Sequence, residues 1–61
     1  MFDTKYKAVV CGNIIAESTS IDGAIFALWN IGGYEFGYVW CGNERWTIRY
    51  GEIVYHKKEV I

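Results

Sequence analysis

Apolar positions along this chain follow two different periods. Ile21, Ala24, Ile25 and Leu28 recur at i, i+3, i+4 and i+7, which is the stripe of an amphipathic helix. On either side of that stretch the period is two. In the second half Phe36, Tyr38 and Trp40 alternate with Gly37, Val39 and Cys41, and Arg45, Thr47 and Arg49 alternate with Trp46, Ile48 and Tyr50. The pattern predicts an α+β domain of order β-β-α-β-β-β, an antiparallel sheet with one helix packed on one face, occupying residues 1–61 as a single unit.

Turn chemistry sets the expected bounds. The string Val-x-Cys-Gly-Asn occurs at 9–13 and again at 39–43. A Gly-Asn pair between β-prone runs suits a two-residue type II′ hairpin turn, because glycine tolerates positive φ at the first central position. Strands are therefore expected at Thr4 to Cys11 and Ile14 to Ser18, then at Tyr34 to Cys41 and Arg45 to Tyr50. Gly51-Glu52 is expected to turn the chain into a last strand from Ile53 to Lys58. Ser20 offers an N-cap, Asp22 a first-turn carboxylate, and Gly32-Gly33 a stop, which bounds the helix at about Ile21 to Ile31.

Residues opposed across a two-residue turn share a face. Counting from Gly42-Asn43 and Gly51-Glu52 puts Gly37, Val39, Cys41, Trp46, Ile48, Tyr50, Ile53 and Tyr55 on an apolar side. That is the expected core, with Gly37 where a helix comes close. The other side collects Tyr34, Phe36, Tyr38, Trp40, Arg45, Thr47, Arg49, Val54, His56 and Lys58. Placing the helix over this mixed side would bury Arg45 and Arg49 with no facing carboxylate, so the mixed side is expected to stay open.

Composition narrows the function classes. A 61-residue chain is marginal alone, and 52% hydrophobic residues with eleven aromatics compensate for its small core. The net charge of −1 argues against coating nucleic acid by bulk positive charge. Two cysteines and one histidine are too few for a four-ligand zinc site, so no metal is expected without a second subunit. A Cys11–Cys41 disulfide requires the two hairpin tips to lie side by side; free, half-buried thiols are the expected state. No cofactor is expected, and the lack of a signal-like or 20-residue apolar stretch suggests a cytoplasmic chain without a membrane partner.

No catalytic constellation emerges. His56 is the one histidine, and the carboxylates Asp3, Glu17, Asp22, Glu35, Glu44, Glu52 and Glu59 are scattered. The expectation is a non-enzyme. After Asp22 the helix carries no charge, and Phe26, Trp29 and Ala27 lie outside its core stripe. These three are the expected contacts of a homodimer or higher oligomer, unless Phe26 and Trp29 wrap the sheet edge to enlarge the core. Tyr34, Phe36, Tyr38, Trp40, Arg45, Arg49, His56 and Lys58 are the candidate contacts for a partner or ligand. The leading reading is a self-associating binding or inhibitor protein of the phage or mobile-element accessory type, which sequesters a host protein or an anionic aromatic small ligand. Two alternatives use the same residues: single-stranded nucleic-acid binding, with aromatics stacking on bases, and capture of a nucleotide at a subunit interface.

Overall fold

The computed structural model describes residues 5–58. Asp3, Thr4 and Glu59, to which the sequence assigns a strand start and two carboxylates, lie outside them. Five strands, β1 (Tyr6–Val10), β2 (Asn13–Ser18), β3 (Phe36–Cys41), β4 (Glu44–Arg49) and β5 (Glu52–Lys58), form one antiparallel sheet in the order β2-β1-β3-β4-β5. The helix α1 (Ile21–Phe26) runs on into a π-helical turn at Ala27–Ile31. This is the expected α+β architecture, with the helical span within the expected bounds.

Local chemistry explains where the helix starts and stops. Ser20 adopts extended backbone and its hydroxyl accepts from the Gly23 N–H at 3.1 Å, so the N-cap is filled as its residue type suggests. At the other end the N–H of Gly32 reaches the Ala27 carbonyl at 2.9 Å and that of Tyr34 reaches Leu28 at 2.8 Å. These bonds satisfy carbonyls that a helix end would otherwise leave open. Tyr34 is thereby a helix-terminating residue and not the first member of β3, which corrects its expected place in the aromatic row. Its ring lies over Gly32, where a side chain would collide with it.

The core sits between the helix and half of the sheet. Ala8, Ala24, Leu28, Val39 and Ile48 are buried together, and Tyr6, Val10, Ala16, Ile21, Ile25 and Trp46 pack around them. The expected close approach at Gly37 is present: a Cβ there would meet Leu28 Cδ2 at 2.8 Å and the Val9 carbonyl oxygen at 3.2 Å. The helix packs on β1, β2 and β3 and leaves the β4–β5 half of this face less covered. Trp46 is therefore on the expected side but only half-buried.

The two copies of Val-x-Cys-Gly-Asn form different turns. The second copy turns as expected at Gly42-Asn43, with φ +59° at Gly42 and Cys41 opposite Glu44. In the first copy the central residues are Cys11 and Gly12, at φ +52° and +80°, and Val10 faces Asn13. Two positive φ values define the type I′ hairpin, and the Asn13 side chain donates to the Cys11 carbonyl. A bulge then leaves Ile15 as the extra residue of β2 and sets Ala8 opposite Ala16. The expected register would have put Glu17 opposite Ala8, under the helix. The observed one sends Glu17 to the open side, opposite Lys7.

The β4–β5 hairpin repeats this device. Its turn is Tyr50-Gly51, at φ +52° and +77°, in place of Gly51-Glu52, and a bulge leaves Val54 as the extra residue. Arg49 then faces Glu52, Thr47 faces Tyr55, Trp46 faces His56 and Glu44 faces Lys58. The expected count would have set the Lys57 ammonium opposite Trp46 on the apolar side. The correction moves Tyr55 to the mixed face and His56 and Lys58 to the helix side. Tyr50 leaves the core for the turn, where its ring meets Trp29 edge-on at 5.7 Å. Both edge strands thus carry a bulge, which twists an otherwise pairable edge.

The cysteines are free, Cys11 exposed and Cys41 buried. Because β1 and β3 are antiparallel neighbours, their C-terminal tips lie at opposite ends of the sheet, so the side-by-side arrangement that a disulfide needs does not arise.

Candidate functional site

The face opposite the helix is built from alternate residues of five strands. β3 contributes Phe36, Tyr38 and Trp40, and its neighbour β4 contributes Arg49, Thr47 and Arg45 in matching positions. β5 adds Glu52, Tyr55 and Lys57, and β1 adds Lys7 and Val9 beside Trp40 and Tyr38. Val9 is fully buried although it belongs to no cluster with the helix. Its register neighbours Ile14 and Tyr38 flank it, so this face has a small apolar floor of its own.

Aromatic rings and guanidinium groups are already organised here. The Arg45 guanidinium carbon lies 4.8 Å from the centre of the Trp40 ring, and that of Arg49 lies 5.5 Å from Phe36. Both fall within cation–π range. Phe36 and Tyr38 meet edge-to-face at 5.2 Å. Such contacts hold long side chains in place and lower the entropy lost when a partner arrives.

Tyr38, Trp40, Arg45, Thr47, Tyr55 and Lys57 line a cleft of about 280 Å³. The lining has two cations, three aromatic rings and one aliphatic hydroxyl, and no carboxylate. Neither Arg45 nor Lys57 forms an ion pair among the described residues.

Of the candidate contacts, Phe36, Tyr38, Trp40, Arg45 and Arg49 share this face. His56 and Lys58 do not. His56 stacks on Trp46 with ring centres 4.9 Å apart, and Trp46 meets Tyr6 at 5.6 Å, all on the helix side. Glu44 collects both displaced residues, its Oε1 lying 3.8 Å from His56 Nε2 and 3.9 Å from Lys58 Nζ. Tyr55 and Lys57 take their places, and sequence reasoning missed them. The charge match of Arg49 with Glu52 points to a Tyr50-Gly51 turn, but that turn alone would leave Tyr55 and Lys57 on the helix side; the bulge at Val54 carries them to the mixed face.

The proposed oligomer contacts divide. Phe26 is 54% exposed, whereas Trp29, at 37%, leans on Tyr50 and covers Gly51, and Ala27 is half-buried. Ile31, at 75%, is a further exposed apolar side chain of the helical segment. Among the described residues no group of three or more His, Cys, Asp or Glu side chains is placed to hold a metal ion, and no helix is long and apolar enough to cross a membrane. No family model matches the sequence, and neither the curated proteins nor the solved structures contain a match.

Proposed function

We propose that this chain is a small, non-enzymatic binding protein that holds an anionic partner on its aromatic and cationic sheet face. The observation that carries this reading is the cleft between β3, β4 and β5, where Arg45 and Lys57 stand among Tyr38, Trp40 and Tyr55 with no carboxylate in the lining. Ordered rings beside unneutralised cations suit a ligand that brings both negative charge and flat apolar surface. His56, the one histidine of the sequence, lies on the other side of the sheet and is engaged with Trp46 and Glu44. The reading therefore assigns binding and no catalytic step to the cleft.

Self-association through Phe26, Ala27 and Trp29 belongs to the same proposal. It is supported by a helical segment that carries no charge after Asp22 and whose Phe26 and Ile31 remain open to solvent. A cytoplasmic inhibitor or sequestering role, of the accessory type found in phages and mobile elements, fits a binding domain of this size.

Two experiments test the proposal together. Sedimentation equilibrium should show a dimer or larger species for the wild-type chain and a monomer for Phe26→Ser. A partner retained by immobilised wild-type chain from native host extract should be lost with Arg45→Ala and Trp40→Ala and kept with Phe26→Ser. Retention by all variants would remove the sheet face from consideration.

A further inference from the structure

The register of the sheet gives each strand cation a cross-strand partner, and the partners follow a rule with one exception. Lys7 faces Glu17, Arg49 faces Glu52, and Lys58 faces Glu44. Arg45 faces Lys57. Like charges directly opposite on one face destabilise a sheet, whereas opposite charges in the same positions stabilise it. The chain thus matches charge at three cross-strand pairs and mismatches it at the one that borders the cleft. Moving the two cations apart would relieve the repulsion, but a bound dianion between them would relieve it and add charge-assisted hydrogen bonds.

The remaining lining residues say what that anion is attached to. Tyr38, Trp40 and Tyr55 present flat apolar surface, and one side of the Trp40 ring is already covered by Arg45. Bases stack favourably on such rings, and every base offers a flat face to do so. The hydroxyls of Tyr38, Thr47 and Tyr55 add groups that both donate and accept, suited to a base edge or a ribose. A volume of about 280 Å³ is at the lower end of small-molecule sites and suits one nucleotide unit.

We propose that the cleft binds a single nucleoside phosphate unit, with its phosphate between Arg45 and Lys57 and its base against Tyr38, Trp40 and Tyr55. This rests on the reading of the sheet face as the binding surface and names its ligand. A free nucleotide and a nucleotide within a single strand offer the same chemistry. Phosphotyrosine brings a ring and a phosphate but no polar ring edge for the three hydroxyls, so the nucleoside is favoured.

The test is calorimetric titration of the full chain with AMP, UMP, adenosine, inorganic phosphate, phosphotyrosine and oligo(dT) of two to eight residues. AMP and UMP should bind at least tenfold more tightly than adenosine, inorganic phosphate or phosphotyrosine. Affinity that stays at the mononucleotide level as oligo(dT) lengthens identifies a free nucleotide as the source, and affinity that climbs with length identifies a strand. Lys57→Glu supplies the discriminating variant. It restores the charge match with Arg45, so its Tm should rise by about 1–5 °C, while affinity for AMP or oligo(dT) falls at least tenfold. Equal binding of AMP by wild type and Lys57→Glu, phosphotyrosine as tight as AMP, or no binding by any nucleotide or oligonucleotide overturns the proposal. If the nucleotides fail but Lys57→Glu still loses the partner retained from host extract, the ligand class is wrong and the face stands. If that partner is kept as well, both readings fall.

Discussion

The two faces of this sheet share the same five strands and differ in almost every other respect. On the helix side the buried cluster is aliphatic and small, Ala8, Ala24, Leu28, Val39 and Ile48, with Gly37 giving Leu28 room to approach. On the other side Val9 alone among the described residues is fully buried, and that face carries Phe36, Tyr38 and Trp40 with Arg45, Arg49 and Lys57. One face is closed by shape and the other is held open by charge. Apolar area accounts for the first, since its members have no other means of leaving water. Area does not account for the second, where large rings remain partly exposed beside Arg45 and Lys57, which form no ion pair among the described residues. Stability is therefore expected to reside on the helix side and recognition on the opposite one.

The largest effect that would separate the faces is at Leu28. Leu28→Ala should cost about 2–5 kcal/mol by denaturant unfolding, a large share of the roughly 3–9 kcal/mol that a chain of this size possesses. Trp46→Ala should cost about 2–3 kcal/mol, because Trp46 packs beside Tyr6, His56 and the core yet keeps one side open. Gly37→Ala should cost about 1–3 kcal/mol, since the added methyl meets both a Leu28 methyl and the Val9 backbone carbonyl, and the latter has no room to yield. Trp40→Ala should stay within about 1 kcal/mol in the same unfolding measurement while abolishing partner binding. A larger loss of stability at Trp40 than at Trp46 would invert the assignment of faces.

The smallest effect concerns a turn. Cys11 holds a left-handed conformation that disfavours most side chains and that asparagine tolerates, so Cys11→Asn should stabilise the first hairpin by about 0.5–1 kcal/mol. The matching change at Tyr50 should bring no such gain, because it also removes the edge contact with Trp29.

Alternation and capping made the helix, the five strands, the Gly42-Asn43 turn and the faces of β3 and β4 readable from residues alone. Gly37 was legible too, as a gap in an otherwise apolar strand face. What escaped was the register of both edge strands. Cys11-Gly12 and Tyr50-Gly51 place a non-glycine residue at positive φ, a cost that local turn rules count against, and each turn is followed by a bulge that flips the rest of the strand. Longer-range demands outweighed the local rule. Glu17 had to avoid the helix, and Arg49 and Glu44 gained opposite charges in Glu52 and Lys58. The consequence for the site is specific: Tyr55 and Lys57 belong to it, and His56 and Lys58 do not.

The most direct test is a two-dimensional amide NMR titration of the wild-type chain with AMP, well suited to a 7.0 kDa protein. Saturable shifts confined to the neighbourhood of Tyr38, Trp40, Arg45, Thr47, Tyr55 and Lys57, with the resonances of Ala24 to Leu28 unmoved, are the predicted result. Shifts centred on the helix or on Trp46 and His56, or no saturable shifts at all, would contradict it.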